Sequence, residues 1–362
     1  VYIPQRKALF LADNCSSTMH SLSQAHASSF TDGNEWAKFL TEAYVMFGTD
    51  AEVAFSAHNW PHFGAEVIYE YMENTAMAYK YIHDQTLLYI NQGYTIDEIA
   101  NRISLPDELA QHWYTRQYYG TVEQNARAIC EHYMGSYDGN PVNLNPLAPE
   151  ENARKFVEYM GNPERVLGLA QQDFENGEYQ WVAQITNILV YNDPENTDAR
   201  YLCADALEQL GYQQESGAIR NVYLTAAYEL RNGKPDPSAQ KAMGSPDIYS
   251  NMTPEMFFDY LGVLIDGQAA QNKEIRLNFV ISDTNEKFYV HLKAGTLLYY
   301  KGAQETNVIA TVTCTSDDLF LLLDVGSSDM PDVIQIEGNA NAVRELVEDT
   351  VAFDPFFNIV EP

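Results

Sequence analysis

Residues 8–14 read Ala-Leu-Phe-Leu-Ala-Asp-Asn, an apolar run that ends in a carboxylate. A short, uninterrupted run of this kind fits a strand buried on both faces, which delivers Asp13 at its C-terminal exit. Residues 52–58, Glu-Val-Ala-Phe-Ser-Ala-His, repeat the pattern, with His58 just beyond a second short strand. Between them Trp36, Phe39, Leu40, Ala43 and Phe47 recur at helical spacing, which predicts a helix over 34–47. Strand, helix and strand with polar groups at both strand exits make an α/β arrangement. Ligands and metals collect at such exits.

Outward from this segment the period changes. Ile68, Met72, Ala76, Tyr79, His83 and Leu87 step by three and four, and Thr95 with Glu98 forms a capping box for a further helix. Helices are expected over 164–176, 179–191 and 197–210, after a loop of Pro, Asn and Gly at 135–149. The last of these helices resemble one tetratricopeptide unit, too few for a solenoid. Residues 232–237, Asn-Gly-Lys-Pro-Asp-Pro, mark a boundary. Beyond it a helix is expected over 252–266. Ile275, Leu277, Phe279 and Ile281 then alternate with polar residues, 283–286 turn the chain, and Phe288, Val290 and Leu292 alternate on the return. Further strands at 296–300 and 308–314 and helices at 316–323 and 340–348 complete a compact α+β domain with an antiparallel sheet. The expected domains are therefore 1–65 (α/β), 66–232 (all-α) and 238–362 (α+β).

The chain has 362 residues, 46% hydrophobic and 12% aromatic, enough for two or three buried cores. Its 21 Lys+Arg stand against 51 Asp+Glu, a net −30, which disfavours nucleic-acid and anionic-lipid partners. No apolar stretch is long enough to span a membrane. Cys15, Cys130, Cys203 and Cys314 lie far apart and read as small core hydrophobes rather than as a zinc or disulfide framework. The start at Val1 fits a processed or truncated chain, and an exported location, periplasmic or secreted, is favoured over a cytoplasmic one.

There is no GxGxxG, P-loop, GxSxG or HExxH. What remains is a polar cluster in the first 65 residues: Asp13, Asn14, His20, His26, Asp32, His58 and His62. Carboxylates and imidazoles at strand exits are zinc-type donors, but single histidines there also serve as hydrogen-bonded structural groups. The residues alone leave both readings open. The tyrosines at 69, 71, 79, 81 and 89 read as helix packing and dimer interface, and His83 and His112 as structural groups.

Longer motifs carry a resemblance. Residues 54–64, Ala-Phe-Ser-Ala-His-Asn-Trp-Pro-His-Phe-Gly, resemble the SHHWPxxG stretch of the alkyl sulfatases (linear primary and secondary alkylsulfatases) of the metallo-β-lactamase superfamily. Residues 12–20 resemble that family's AENxxHxxH stretch. The likeness continues through 81–86 (Tyr-Ile-His-Asp-Gln-Thr), 118–122 (Tyr-Tyr-Gly-Thr-Val), 138–141 (Asp-Gly-Asn-Pro), 204–212, 220–225 and 354–362, so it covers the whole chain.

This resemblance implies a multidomain protein: the C-terminal part of a metallo-β-lactamase fold, an all-α dimerisation domain and an α+β domain similar to sterol carrier protein. It implies a binuclear zinc site, with Asp13 in the place of the bridging Glu and His58 in that of a late histidine ligand. The HxHxDH motif that supplies the other ligands is expected before residue 1 or on an N-terminal companion polypeptide. The sulfate pocket departs from the family's HNLxxxRGAxxxxD pattern: Ser21 stands for Asn, His26 for Arg and Thr31 for a second basic residue. The implied partners are a second copy of the chain and an aliphatic small molecule. The implied activity is hydrolysis of sulfate or related esters of aliphatic alcohols. The alternative is a non-catalytic dimeric protein, descended from that family, that binds aliphatic ligands or serves in assembly.

Overall fold

The computed structural model describes residues 1–23, 30–234, 251–324, 331–353 and 356–362. The chain divides into two units, 1–233 with 358–362, and 234–357.

The first unit opens with a four-stranded sheet in the order β1 (Tyr2–Ile3), β2 (Ala8–Phe10), β3 (Val53–Phe55) and β4 (His62–Phe63). The two expected strands, β2 and β3, pair in parallel with Leu9 opposite Ala54 and Phe10 opposite Phe55. The two-residue strands at the edges had no readable period. Helix α1 (Gly33–Ala43) adds Trp36 and Leu40 to the core that holds Leu9 and Ala54, and its first turn is capped by the Asp32 carboxylate, which accepts from the Asn34 and Glu35 amides. Such a cap contributes about 1 kcal/mol. The expected helix to residue 47 changes character at Tyr44, where a π-helical turn, Tyr44–Gly48, replaces the last α-turn. Phe39, assigned to the buried face, is instead 61% exposed.

Helix α2 (Ala65–Asn91) follows directly. Its buried residues Ile68, Tyr71, Met72, Thr75, Ala76, Tyr79, Ile82, His83 and Thr86 form one stripe at helical spacing. That stripe shares a single hydrophobic core with Leu9, Leu11, Trp36, Leu40 and Ala54 of the α/β segment. The segment and the helices after it are therefore packed as one body up to about residue 130. Helix α3 (Ile96–Arg102) begins with the expected capping box of Thr95 and Glu98. After α4 (Asp107–Ala110) and α5 (Val122–Met134), helices α6 (Pro149–Met160), α7 (Pro163–Glu175), α8 (Tyr179–Asn192), α9 (Thr197–Tyr212) and α10 (Gly217–Asn232) close on a second core around Val182, Leu189, Leu202 and Leu230. All four cysteines are buried and free. No helix among the described residues is long and apolar enough to cross a membrane.

The last five residues belong to this unit. The buried Glu229 carboxylate accepts the amides of Ile359 (2.9 Å) and Val360 (3.0 Å). Asn187 Nδ2 donates to the Val360 carbonyl at 2.7 Å, and Arg200 pairs with Glu361.

In the second unit, α11 (Pro254–Leu264) packs on a five-stranded sheet ordered β7 (Thr296–Lys301), β6 (Glu286–Lys293), β5 (Glu274–Ile281), β8 (Ala310–Cys314) and β9 (Gln335–Gly338). The β5–β6 hairpin forms as expected, but its turn is shifted: Glu286, assigned to the turn, pairs with Ile281 and opens β6. The sheet is mixed rather than antiparallel, because β8 pairs in parallel with β5. A 3-10 helix, Asp317–Asp324, stands where an α-helix was expected, and α12 (Ala340–Val347) follows β9. Beneath α11 the Phe258 ring is fully buried against Phe279, Phe288 and Tyr299 at 5.1, 5.2 and 5.6 Å.

Candidate metal centre

The parallel β2–β3 pairing carries both chains to the same sheet end. The Leu11 amide donates to the Phe55 carbonyl at 2.8 Å, and the Ala57 amide to the Ala12 carbonyl at 3.4 Å, so the two exits run side by side. Asp13 and His58 consequently face each other, with Oδ1 of Asp13 3.2 Å from Nε2 of His58. Their side chains are 54% and 67% exposed, open to water or to a cation. Three non-glycine residues next to this pair hold left-handed backbone: Ala12 (φ +50°), Ser17 (+58°) and Asn59 (+63°). Each costs on the order of 1–3 kcal/mol, and such strain gathers where a site must be shaped. Asn59 Nδ2 donates to the Ser16 carbonyl at 2.7 Å and ties the two exits together.

A carboxylate and an imidazole at this spacing suit zinc in kind but not in number, since a zinc site takes about four ligands. Among the described residues no group of three or more His, Cys, Asp and Glu could hold a metal ion. His20, in the same polar cluster, is turned elsewhere: its ring packs on Trp36, and its Nδ1 lies 2.9 Å from the Ser21 carbonyl. Asp32 is used as the cap of α1. Of the three pocket candidates, Ser21 is partly buried just after His20, and Thr31 is exposed, its amide bonded to the Leu22 carbonyl at 2.8 Å. His26 lies outside the described residues. A cleft of about 640 Å³ runs between β2 and α1, with Asn14 and Thr31 among its lining residues and Leu9, Phe10, Leu11, Trp36 and Phe39 forming apolar walls.

Sequence reasoning did not find what holds the 13–22 segment in place. The Tyr71 hydroxyl accepts the Ser17 amide at 2.9 Å, and the Tyr79 hydroxyl accepts the His20 amide at 2.8 Å. Asn125 bridges the Leu22 amide and the His20 carbonyl, at 2.8 and 3.0 Å. The Met19 amide donates to the Arg116 carbonyl at 2.9 Å, and the Gly120 amide to the Met19 carbonyl at 2.8 Å. Burial pushes the Tyr71 and Tyr79 hydroxyls well above the usual phenol range, so both stay neutral donors and acceptors. Helical residues thus cradle the loop that begins at Asp13. The signal for Tyr71 and Tyr79 was their place on the buried stripe of α2; for Asn125 and Gly120 there was none.

Gly120 permits a close backbone approach to this loop. A Cβ there would stand 2.4 Å from the His20 carbonyl carbon and oxygen and 2.6 Å from the Ser21 nitrogen, all backbone atoms that cannot swing aside. Gly120→Ala is expected to cost about 1–3 kcal/mol in urea unfolding. An unchanged midpoint would show that the two backbones are free to separate.

Residues 95–233 match the alkyl sulfatase dimerisation family and residues 242–362 the alkyl sulfatase C-terminal family. The chain is 41% identical over 366 residues to the alkyl/aryl-sulfatase BDS1 of Saccharomyces cerevisiae, covering all of this chain (100%) and 56% of that protein. It is 37% identical over 366 residues to a linear primary-alkylsulfatase of Pseudomonas sp., covering 100% of this chain and 54% of that one. Among solved structures it is similar to the stereoselective inverting sec-alkylsulfatase Pisa1 from Pseudomonas sp., with a TM-score of 0.92 at 35% identity, over 100% of this chain and 57% of that one. The chain spans a little over half the length of these relatives.

Proposed function

The chain belongs to the alkyl sulfatase family, and from that membership we propose that it forms part of a zinc-dependent hydrolase of sulfate esters of aliphatic alcohols. The observation that carries this reading is the 3.2 Å approach of Asp13 to His58 at paired strand exits.

In this reading Asp13 and His58 are two ligands of a binuclear zinc site. The remaining ligands come from the polypeptide by which the relatives exceed this chain, as part of the same protein or as a companion. The cleft between β2 and α1 supports such an arrangement, since apolar walls of this extent are normally covered in a working protein. When bound, zinc would polarise the ester and activate a water. Asp13 is one methylene shorter than the glutamate expected there, and the close packing of the two strand exits brings it to His58 despite that shorter reach. In this reading Ser21, His26 and Thr31 stand at the positions of the family's sulfate-facing residues. The segment 95–233 pairs two copies of the chain, burying roughly 2,000 Å² or more if the dimer is obligate.

Among the described residues no third metal-type donor joins Asp13 and His58, which favours a second reading, a non-catalytic dimer that retains the family fold. One set of measurements on native material separates the two: intact mass, solution mass by light scattering, bound zinc, and hydrolysis of dodecyl sulfate. A dimer holding about two zinc ions per protomer and releasing sulfate is the expected result. A metal-free protein that leaves dodecyl sulfate intact would sink the enzymatic reading.

A further inference from the structure

Two buried polar side chains beside the candidate centre have no part in the chemistry described so far. Ser17 Oγ lies 2.9 Å from Nε2 of His62, and both residues are shut off from solvent. The His62 ring is held flat between two aromatic faces: 3.7 Å from Tyr71 with the planes within 11°, and 5.5 Å from Trp113 within 6°. Ser17 also meets the Tyr71 hydroxyl, through its amide at 2.9 Å and its Oγ at 3.0 Å. Burial lowers the proton affinity of His62, which leaves the ring neutral and suited to a single bond with a hydroxyl.

The place of this pair gives it a task. Ser17 lies four residues beyond Asp13, and His62 opens β4 four residues beyond His58. A hydrogen bond between them staples the two segments beyond the strand exits, as the β2–β3 pairing staples them before the exits. Ser17 and Asn59 are held in left-handed backbone inside these loops, and such strain persists only where the surroundings over-determine it. The sequence pattern agrees. In AENxxHxxH the first histidine falls at position 17, which here is serine. In SHHWPxxG position 62 is unspecified, and here it is histidine. Here the serine at 17 meets the histidine at 62.

We propose that His62 is a positioning residue whose bond to Ser17 locks the two loops and so sets the approach of Asp13 to His58. The proposal rests on reading Asp13 and His58 as one site. Partners that orient the groups of a metal site are commonly worth 10–100-fold in affinity or activity, so the lock has consequences beyond stability.

Long-range proton–nitrogen spectra of the full chain, without metal, resolve the individual imidazoles and read this geometry directly. Asp13→Asn is expected to displace the His58 signals. His62→Phe keeps a flat ring in the stack but offers Ser17 no nitrogen. It is expected to stay folded and to displace the His58 signals by at least half as much as Asp13→Asn does. Ser17→His combined with His62→Phe places the imidazole on the other loop and is expected to bring the His58 signals back. Ser17→Ala removes the same bond from the other side and decides the matter if His62→Phe does not fold. His58 signals unmoved in these folded variants overturn the lock but leave the Asp13–His58 pair standing. Signals unmoved by Asp13→Asn overturn both.

Discussion

Dodecyl sulfate hydrolysis at about pH 8 is expected to rise by about 30-fold or more on His26→Arg in the zinc-loaded protein completed by its remaining ligands. The proposed reading sets His26 against the ester, and the reason for the rise is the charge of that side chain. A guanidinium is planar and permanently charged, and it meets two sulfate oxygens with parallel hydrogen bonds. An imidazole is neutral above about pH 6.5 and offers one donor. Truncating one partner of a desolvated charge pair costs about 2–5 kcal/mol. At about 1.4 kcal/mol per decade that corresponds to a factor of about 30 to several thousand. Equal rates for the two proteins at pH 8 would mean that residue 26 does not face the sulfate.

The second large effect concerns stability. Glu361→Ala is expected to destabilise the first unit by about 3–5 kcal/mol, because it strands the Arg200 guanidinium. That guanidinium is 18% exposed and is fixed by donation to the Leu230 carbonyl at 2.9 Å and the Pro194 carbonyl at 3.1 Å, so it cannot turn out to water without losing both bonds. For a unit of this size the melting temperature should fall by about 6–20 °C. Replacing both partners together, Arg200→Met with Glu361→Leu, removes the stranded charge and should recover most of the loss. Calorimetry of the single and double variants checks this. A single variant that melts with the parent would show that the tail is already loose.

Much of the local architecture could be read from the residues in order. The apolar runs at 8–12 and 52–56 gave β2 and β3, and their exits led to Asp13 and His58. The stripe of α2, the capping box at Thr95 and the alternation of β5 and β6 were all legible, because each depends on side chains a few positions apart. The π-helical turn at Tyr44–Gly48 was not, since its residues fit the helical period equally well.

What the amino-acid sequence determined by itself was therefore many of the longer elements, the acidic character of the chain, and which polar groups stand at the exits of β2 and β3. Only the tertiary structure decided which of those groups meet. It paired Asp13 with His58 and left His20 against Trp36. It set β8 parallel to β5, brought Ser17 to His62 across 45 positions, and closed Glu361 onto Arg200 across 161. Periodicity is imposed by the backbone within one or two turns and leaves a trace in every window of the chain. A contact between distant residues depends instead on how whole faces pack and on where buried polar groups find partners. No short stretch of sequence records either.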